Sequence, residues 1–331
     1  MSYTMNALIL EKYDYPFRLT EIPVSRPGKN EVLVKIHASG VNPLDIKIKR
    51  GQAAHAQTKL PAVLGMDLAG VIEEVGEEVS RFRIGDEVYG MSGNVGGIQG
   101  SLAEYATADP NLLAFKPSNL TMREAAAIPL AFITAWEGLV DRANVQAGKK
   151  VLIHGGAGGV GHIAIQLAKA KGAEVFATVV SKYRQMVENY RATPVDYIHH
   201  TVAEYVAACT DNKGFDIILD VVGGTVLDES FTAVKQYCGH VISILGWGTH
   251  NLAPLSFRGA TYSGVYALYP LLSGESRERH GMILQEATLL AESGKLVPRL
   301  DPRRFTLSSV TLAHTILEER QAEGKIIIDI L

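Results

Sequence analysis

Hydrophobic and polar positions change rhythm along this chain. Over roughly the first 120 residues apolar positions alternate in short runs, as in EVLVKIHASGV (31–41), LAGVIEEVG (68–76) and GDEVYG (85–90), with turn glycines between them. Period-two runs bounded by glycine predict half-buried strands. The irregular link MSGNVGGIQGS (91–101) suggests a loop-rich, barrel-like sheet. The pattern then lengthens. TMREAAAIPLAFITAWEGLV (121–140) sets Thr121 three residues before Glu124, a capping box that predicts a helix. From 150 onward strand-like and helix-like runs alternate: KVLIHG, GHIAIQLAKAKG, EVFATVV, KYRQMVENYR, FDIILDVVG, VLDESFTAVKQY and HVISILG. That order predicts an α/β architecture, a doubly wound parallel sheet with helices on both faces. The tail, LAHTILEERQAEGKIIIDIL, predicts a helix and a terminal strand.

Five glycines interrupt the pattern between KVLIH and the helix that follows: Gly155, Gly156, Gly158, Gly159 and Gly161. Gly156, Gly158 and Gly161 satisfy G-x-G-x-x-G, with a strand before and an amphipathic helix after. Gly156 is assigned the tight turn, Gly158 the close approach of a pyrophosphate and Gly161 the packing of helix on strand, with Gly159 and Val160 in the same cradle. Free amides at the helix start then face the phosphates. The expected ligand is a dinucleotide. The tip of the next strand carries Ser181 and Lys182 and no acid. A carboxylate there would bind a ribose 2′-hydroxyl and repel a 2′-phosphate, whereas a hydroxyl and an ammonium would bind the phosphate, so NADP(H) is expected over NAD(H).

Composition narrows the picture. A length of 331 residues exceeds one ordinary core, and 47% apolar with 20% charged residues describes a packed protein. Net charge of −3, with no long basic run, leaves no electrostatic footprint for nucleic acid. No apolar stretch is long enough to span a bilayer, and the N-terminus lacks the basic start of a signal peptide. The two cysteines, Cys209 and Cys238, lack metal or redox spacing and fit a reducing, cytoplasmic setting.

Six segments in order, ASGVNPLDIKIKRG (38–51), LPAVLGMDLAGVIEEVG (60–76), RFRIGDEVYG (81–90), AAAIPLAFITAWEGL (125–139), IHGGAGGVG (153–161) and AEGKIIIDIL (322–331), resemble the medium-chain dehydrogenase/reductase superfamily over essentially the whole chain. The resemblance implies a β-rich, chaperonin-10-like catalytic domain (1–122), a Rossmann-type NADP-binding domain (123–265) and a return segment (266–331) that completes the first. It also implies a homodimer. Zinc members of the family place a Cys and a His where this chain has Asn42 and Met66. An amide and a thioether are not zinc donors, so no metal is expected. The zinc-free branch contains quinone oxidoreductases and alkenal or enone reductases, which implies hydride transfer to an enone, an enal or a quinone. Lys47 occupies the position where quinone reductases commonly carry Tyr.

The resemblance further implies roles for single residues. Asn42 is placed beside the nicotinamide or the substrate oxygen, Lys47 near the nicotinamide ribose or a developing enolate, and Thr134 against the carboxamide. Val222, Gly223, Leu245 and Gly246 end strands on the nicotinamide side, His200 matches a ring that contacts the adenosine end, and Lys325 closes over the cofactor. Tyr266 and Tyr269 are candidates for substrate contact. Asp45 and Asp86 read as turn or scaffold acids, and Asp67 as a structural hydrogen-bonding acid. The competing readings are an enoyl-thioester reductase, an alcohol dehydrogenase-like enzyme, and a protein that binds NADPH without turnover.

Overall fold

The computed structural model describes residues 3–331. They form two compact units, 3–130 with Leu268–Leu331, and Ala131–Ala267.

In the first unit the strand Val32–Gly40 organises the sheet. It pairs antiparallel with Asp67–Val75, with Tyr105–Ala108 and with the terminal strand Ile327–Asp329. Val34, Ile36, Leu68, Ile72, Phe82 and Val88 form its buried core. The terminal pairing sets Ile327 against Gly40, and Val41 N–H donates to the carbonyl of Ile326 at 2.9 Å. Two residues further along this antiparallel register, Lys325 stands opposite Asn42. On its other side Gly40 pairs with Asp67. No side chain fits at Gly40, where a Cβ would lie 2.3 Å from the carbonyl oxygen of Ala126 and 3.1 Å from Asp67.

Two local expectations need correction. Asp45, expected as a turn or scaffold acid, lies in a helix, Pro43–Lys49 (α1), with Asn42 as N-cap and Pro43 in its first turn. Proline is pre-set for that position because its missing N–H would have no helical partner there. The helix expected over 121–140 is divided. Its capping box is present, with the Glu124 carboxylate accepting from Thr121 N–H at 2.8 Å. The first piece, however, ends at Ala126, and a new helix (α2, Pro129–Trp136) begins at the proline before passing into a π-helical turn, Glu137–Arg142. Pro129 has no N–H to continue the first ladder.

The second unit holds six parallel strands: β1 (Lys150–His154), β2 (Glu174–Val179), β3 (Thr193–Asp196), β4 (Ile217–Asp220), β5 (His240–Ser243) and β6 (Thr261–Gly264). Their spatial order is β3-β2-β1-β4-β5-β6, the order of a Rossmann-type sheet. The chain reverses its direction of growth between β1 and β4, where the glycine turn leads into helix α3 (Gly159–Ala170). Ligands of such sheets bind at that reversal, outside the carboxyl ends of the strands. Among the described residues no helix is long and apolar enough to cross a membrane.

Gly40→Ala should therefore destabilise the first unit by about 1–3 kcal/mol through overpacking. Urea unfolding of the purified variant checks this, and an unchanged midpoint would refute the close approach.

Candidate active site

The glycine turn is built by three different constraints. Gly155 adopts φ +70°, a left-handed conformation that favours glycine, and accepts from Gly158 N–H at 2.9 Å. The tight turn thus belongs to Gly155 and not, as expected, to Gly156. Gly156 has ordinary φ, and a Cβ there would meet the Cβ of Ala177 on β2 at 2.8 Å, so its role is packing against the sheet. At Gly161 a Cβ would stand 2.1 Å from the carbonyl oxygen of Gly155, which forces helix α3 against its own loop. Gly158 is the N-cap, and a Cβ on Gly159 would meet nothing within 4 Å. The backbone of Gly158, Gly159 and Val160 is therefore approachable at the positive end of a twelve-residue helix. A diphosphate fits this cradle. Beneath the turn, His154 is buried, with Nδ1 3.3 Å from Thr178 Oγ1, and burial holds its pKa down at about 4, so the imidazole is neutral.

At the tip of β2, Ser181 and Lys182 are exposed in a short 3-10 turn. The tip of β2 itself carries no acid, but the neighbouring strand supplies one. Parallel pairing sets Asp196, at the end of β3, beside Val179, and Ser181 Oγ donates to its carboxylate at 3.3 Å. The acid arrives from the neighbouring strand, so a reading along β2 alone cannot find it. His199 and His200 lie in a turn and not on a strand. His199 Nδ1 is 2.8 Å from the Asp196 carboxylate and His200 Nδ1 3.1 Å from the Asp196 carbonyl. The His199 contact, above all, lowers the pKa of Asp196.

Two buried side chains that the sequence reading passed over hold the loops after β4 and β5. Asp220 accepts from Val222 N–H and Gly223 N–H at 2.9 Å and from Ser243 Oγ at 2.8 Å. Ser243 Oγ in turn accepts from Leu245 N–H at 3.1 Å. A single carboxylate thereby fixes Val222, Gly223 and Leu245 at the carboxyl ends of adjacent strands. Gly223 has φ +79°, and a Cβ on Gly246 would lie 2.2 Å from the hydroxyl of Tyr262. The signal was an acid ending an apolar strand, FDIILD. Thr134 lies on α2, buried, and its hydroxyl bonds to no protein group among the described residues, not even its own helix. Tyr266 is 41% exposed. Tyr269 donates to Glu275 at 2.9 Å, so its hydroxyl is committed there and not presented to a substrate as expected.

The other polar cluster lies wholly in the first unit. Asp67 is fully buried; one oxygen accepts from Leu130 N–H at 2.9 Å, in the first turn of α2, and the other from Asn42 Nδ2 at 2.9 Å and Lys325 Nζ at 3.1 Å. Lys325 Nζ also donates to Asn42 Oδ1. Asp45, in the first turn of α1, accepts from Asn42 N–H at 2.8 Å and from Asn94 Nδ2 at 3.0 Å. The ammonium of Lys325, placed over the cofactor in the sequence reading, is held instead by Asn42 and Asp67. Lys47, at the end of α1, is half-buried and its ammonium has no hydrogen-bond or ion-pair partner among the described residues. Burial, and then the charge of Lys47, lowers the pKa of His55.

Comparison with known proteins settles the ancestry of these two clusters. Residues 28–118 match the model of the alcohol dehydrogenase GroES-like domain, and 185–328 that of the zinc-binding dehydrogenases. The chain is 34% identical to an NADPH-dependent alkenal/one oxidoreductase, chloroplastic, of Arabidopsis thaliana, over 93% of this chain and 74% of that protein. It is 32% identical to a quinone oxidoreductase of Sus scrofa, over 93% and 92%. The chain belongs to the medium-chain dehydrogenase/reductase superfamily, in its quinone and enone reductase-like branch. A crystal structure of an alcohol dehydrogenase superfamily protein from Novosphingobium aromaticivorans is 52% identical and superposes with a TM-score of 0.97, covering 99% of this chain and 100% of that one.

Membership of this superfamily implies a nicotinamide cofactor, and the Gly155–Gly161 turn fits its diphosphate. Zinc is the second group that the superfamily can carry, and here the residues do not fit. Asn42 and Met66 supply an amide and a thioether, and the amide oxygen and the Asp67 carboxylate already receive an ammonium. Among the described residues no three His, Cys, Asp or Glu side chains come together to hold a metal.

Burial, opposed by the Asn42 backbone hydrogen bond, pushes the Asp45 carboxyl up to about 7. The folded chain thus keeps this proton where the unfolded chain releases it. The contribution of Asp45 to stability is full below about pH 4, falls as pH rises towards 7 and is constant above that. Asp45→Asn has no such dependence. Its stability relative to wild type should improve by up to about 4 kcal/mol between about pH 4 and pH 8. Parallel urea titrations at the two pH values check it, and a pH-independent difference would show that Asp45 is ionised throughout.

Proposed function

We propose that the chain is an NADPH-dependent reductase that delivers hydride to an activated C=C of an enone or enal, or to a quinone, without a metal. The carrying observation is the donor set at Asn42, whose amide and neighbouring carboxylate are closed by an ammonium and offer nothing to zinc. Reduction of a simple ketone concentrates negative charge on one alkoxide oxygen, the task of a Lewis acid. Conjugate addition spreads the charge into an enolate or quinol and needs hydrogen bonds and nearby positive charge. This chain supplies those.

When bound, the reduced nicotinamide supplies the hydride. The amides of Gly159 and Val160 hold the diphosphate, and the Lys182 ammonium holds the 2′-phosphate, while the Asp196 carboxylate that would repel it is engaged by His199 and by the Ser181 hydroxyl. Val222, Gly223, Leu245 and Gly246, braced by Asp220 and Ser243, border the nicotinamide half, and Thr134 offers its hydroxyl to the carboxamide. Lys47, a half-buried ammonium with no hydrogen-bond or ion-pair partner among the described residues, stabilises the forming enolate. A solvent proton completes the product, so one NADPH, one proton and one enone give NADP+ and the saturated ketone. The names of the Arabidopsis and pig relatives support both acceptor classes. Among the described residues the strand β6 pairs only with β5, leaving an open edge that supports a homodimer.

NADPH oxidation followed with an enone, an enal, a quinone and an enoyl thioester tests the reading. Turnover is expected with one of the first three, and Lys47→Met should lower kcat/KM by about 100-fold. Oxidation with none of the four would leave an NADPH-binding protein without turnover. Lys182→Ala should weaken NADPH by roughly tenfold, the loss of one charge-assisted bond, while leaving NADH within about twofold. Fluorescence titration reads both, and equal losses would place Lys182 away from the 2′-phosphate.

A further inference from the structure

The buried cluster of the first unit contains an ammonium that the proposed chemistry does not yet use. The Lys325 side chain is 5% exposed and that of Asp67 0%, with Asn42 and Asp45 buried beside them. Burying such an ion pair is costly for stability, and apolar residues of the same volume often do as well. The pair therefore calls for a reason beyond holding the strands together.

Its geometry supplies one. An asparagine amide can sit either way round, with oxygen and nitrogen exchanged. At Asn42 the choice is forced, because an ammonium can only donate and so must face Oδ1, while the Asp67 carboxylate can only accept and so must face Nδ2. One Nδ2 hydrogen is taken by Asp67 at 2.9 Å. Among the described residues the second has only the Gly40 carbonyl, at 3.4 Å, the edge of hydrogen-bonding distance. Asn42 is thereby fixed as a donor with one N–H weakly engaged.

We propose that Lys325 is a positioning residue that locks Asn42 as the hydrogen-bond donor to the acceptor's carbonyl oxygen, taking over from a metal the task of directing a group at that oxygen. The proposal rests on the reductase reading above. Lys325 acts through Asn42 and does not itself meet substrate or cofactor.

The test is a double-mutant cycle on the full chain with NADPH and whichever acceptor it reduces. Lys325→Met alone strands a buried carboxylate, so the working variant is Lys325→Met with Asp67→Asn, which removes the pair together. It is compared with Asn42→Ala and with all three changes combined. The expected result is a kcat lowered about 100-fold, KM and the NADPH Kd each within about threefold, and a combined loss no greater than that of Asn42→Ala alone. A merely structural pair would move the urea midpoint and leave kcat in place. Wild-type kcat in the paired variant, multiplicative losses in the cycle, or NADPH binding weakened tenfold would each overturn the proposal. If the wild-type chain oxidises NADPH with none of the acceptors, the reductase reading is removed and the positioning role falls with it.

Discussion

An ammonium enclosed by protein must find its counter-charge within hydrogen-bond reach, and in this chain that requirement ties the last strand to the first long one. Lys325 and Asn42 are separated by 283 positions in sequence, yet they lie opposite each other because Ile327 pairs with Gly40. The same register sets Asp67 against Gly40, and a residue without a side chain is needed there for the carboxylate to come in. Asp67 then reaches the first turn of α2 through Leu130 N–H. One buried ion pair thus fastens together a strand from each end of the first unit, a central strand and a helix start. Removing either partner would leave a bare charge in a dry interior, a penalty of several kcal/mol.

The second unit solves a different electrostatic problem with little fixed charge. Its ligand brings the charge, so the protein supplies dipoles: the start of α3 and the exposed backbone around Gly158. Such a cradle works only if the loops around it hold still. Asp220 secures two of them by accepting from successive amides and from Ser243, whose hydroxyl passes the restraint to Leu245. A carboxylate at the carboxyl end of a central strand here braces backbone.

What could be read from the sequence follows the range of the interactions involved. The glycine turn, the alternation of strands and helices and the Thr121–Glu124 cap are local, with period and spacing in plain view. The division of labour among the glycines was less legible, because which of two adjacent residues takes positive φ depends on how the turn closes, and Gly155 rather than Gly156 makes that closure. Asp196 was invisible beside Ser181 because strand order, not chain order, makes them neighbours. The fate of Lys325 was hidden for the same reason. A terminal lysine in EGKIII reads as a turn residue or a cofactor contact until the register of the last strand is known.

The long-range pair also bears on why the metal positions have the identity they do. A divalent ion and a fixed ammonium cannot share the same oxygen atoms: at 4 Å and an effective dielectric of 20 their repulsion is roughly 8 kcal/mol. Asn42 and Met66 cannot therefore be understood as isolated losses of Cys and His. With Lys325 donating to Asn42 Oδ1 and Asp67, a thiolate at position 42 would form an ion pair with the ammonium in place of a metal bond. Amide and ammonium form a consistent set, as zinc and thiolate do, and intermediate sets satisfy neither. On the proposed role of Asn42, this set directs a neutral donor, held by a buried charge, at chemistry whose negative charge is spread over several atoms.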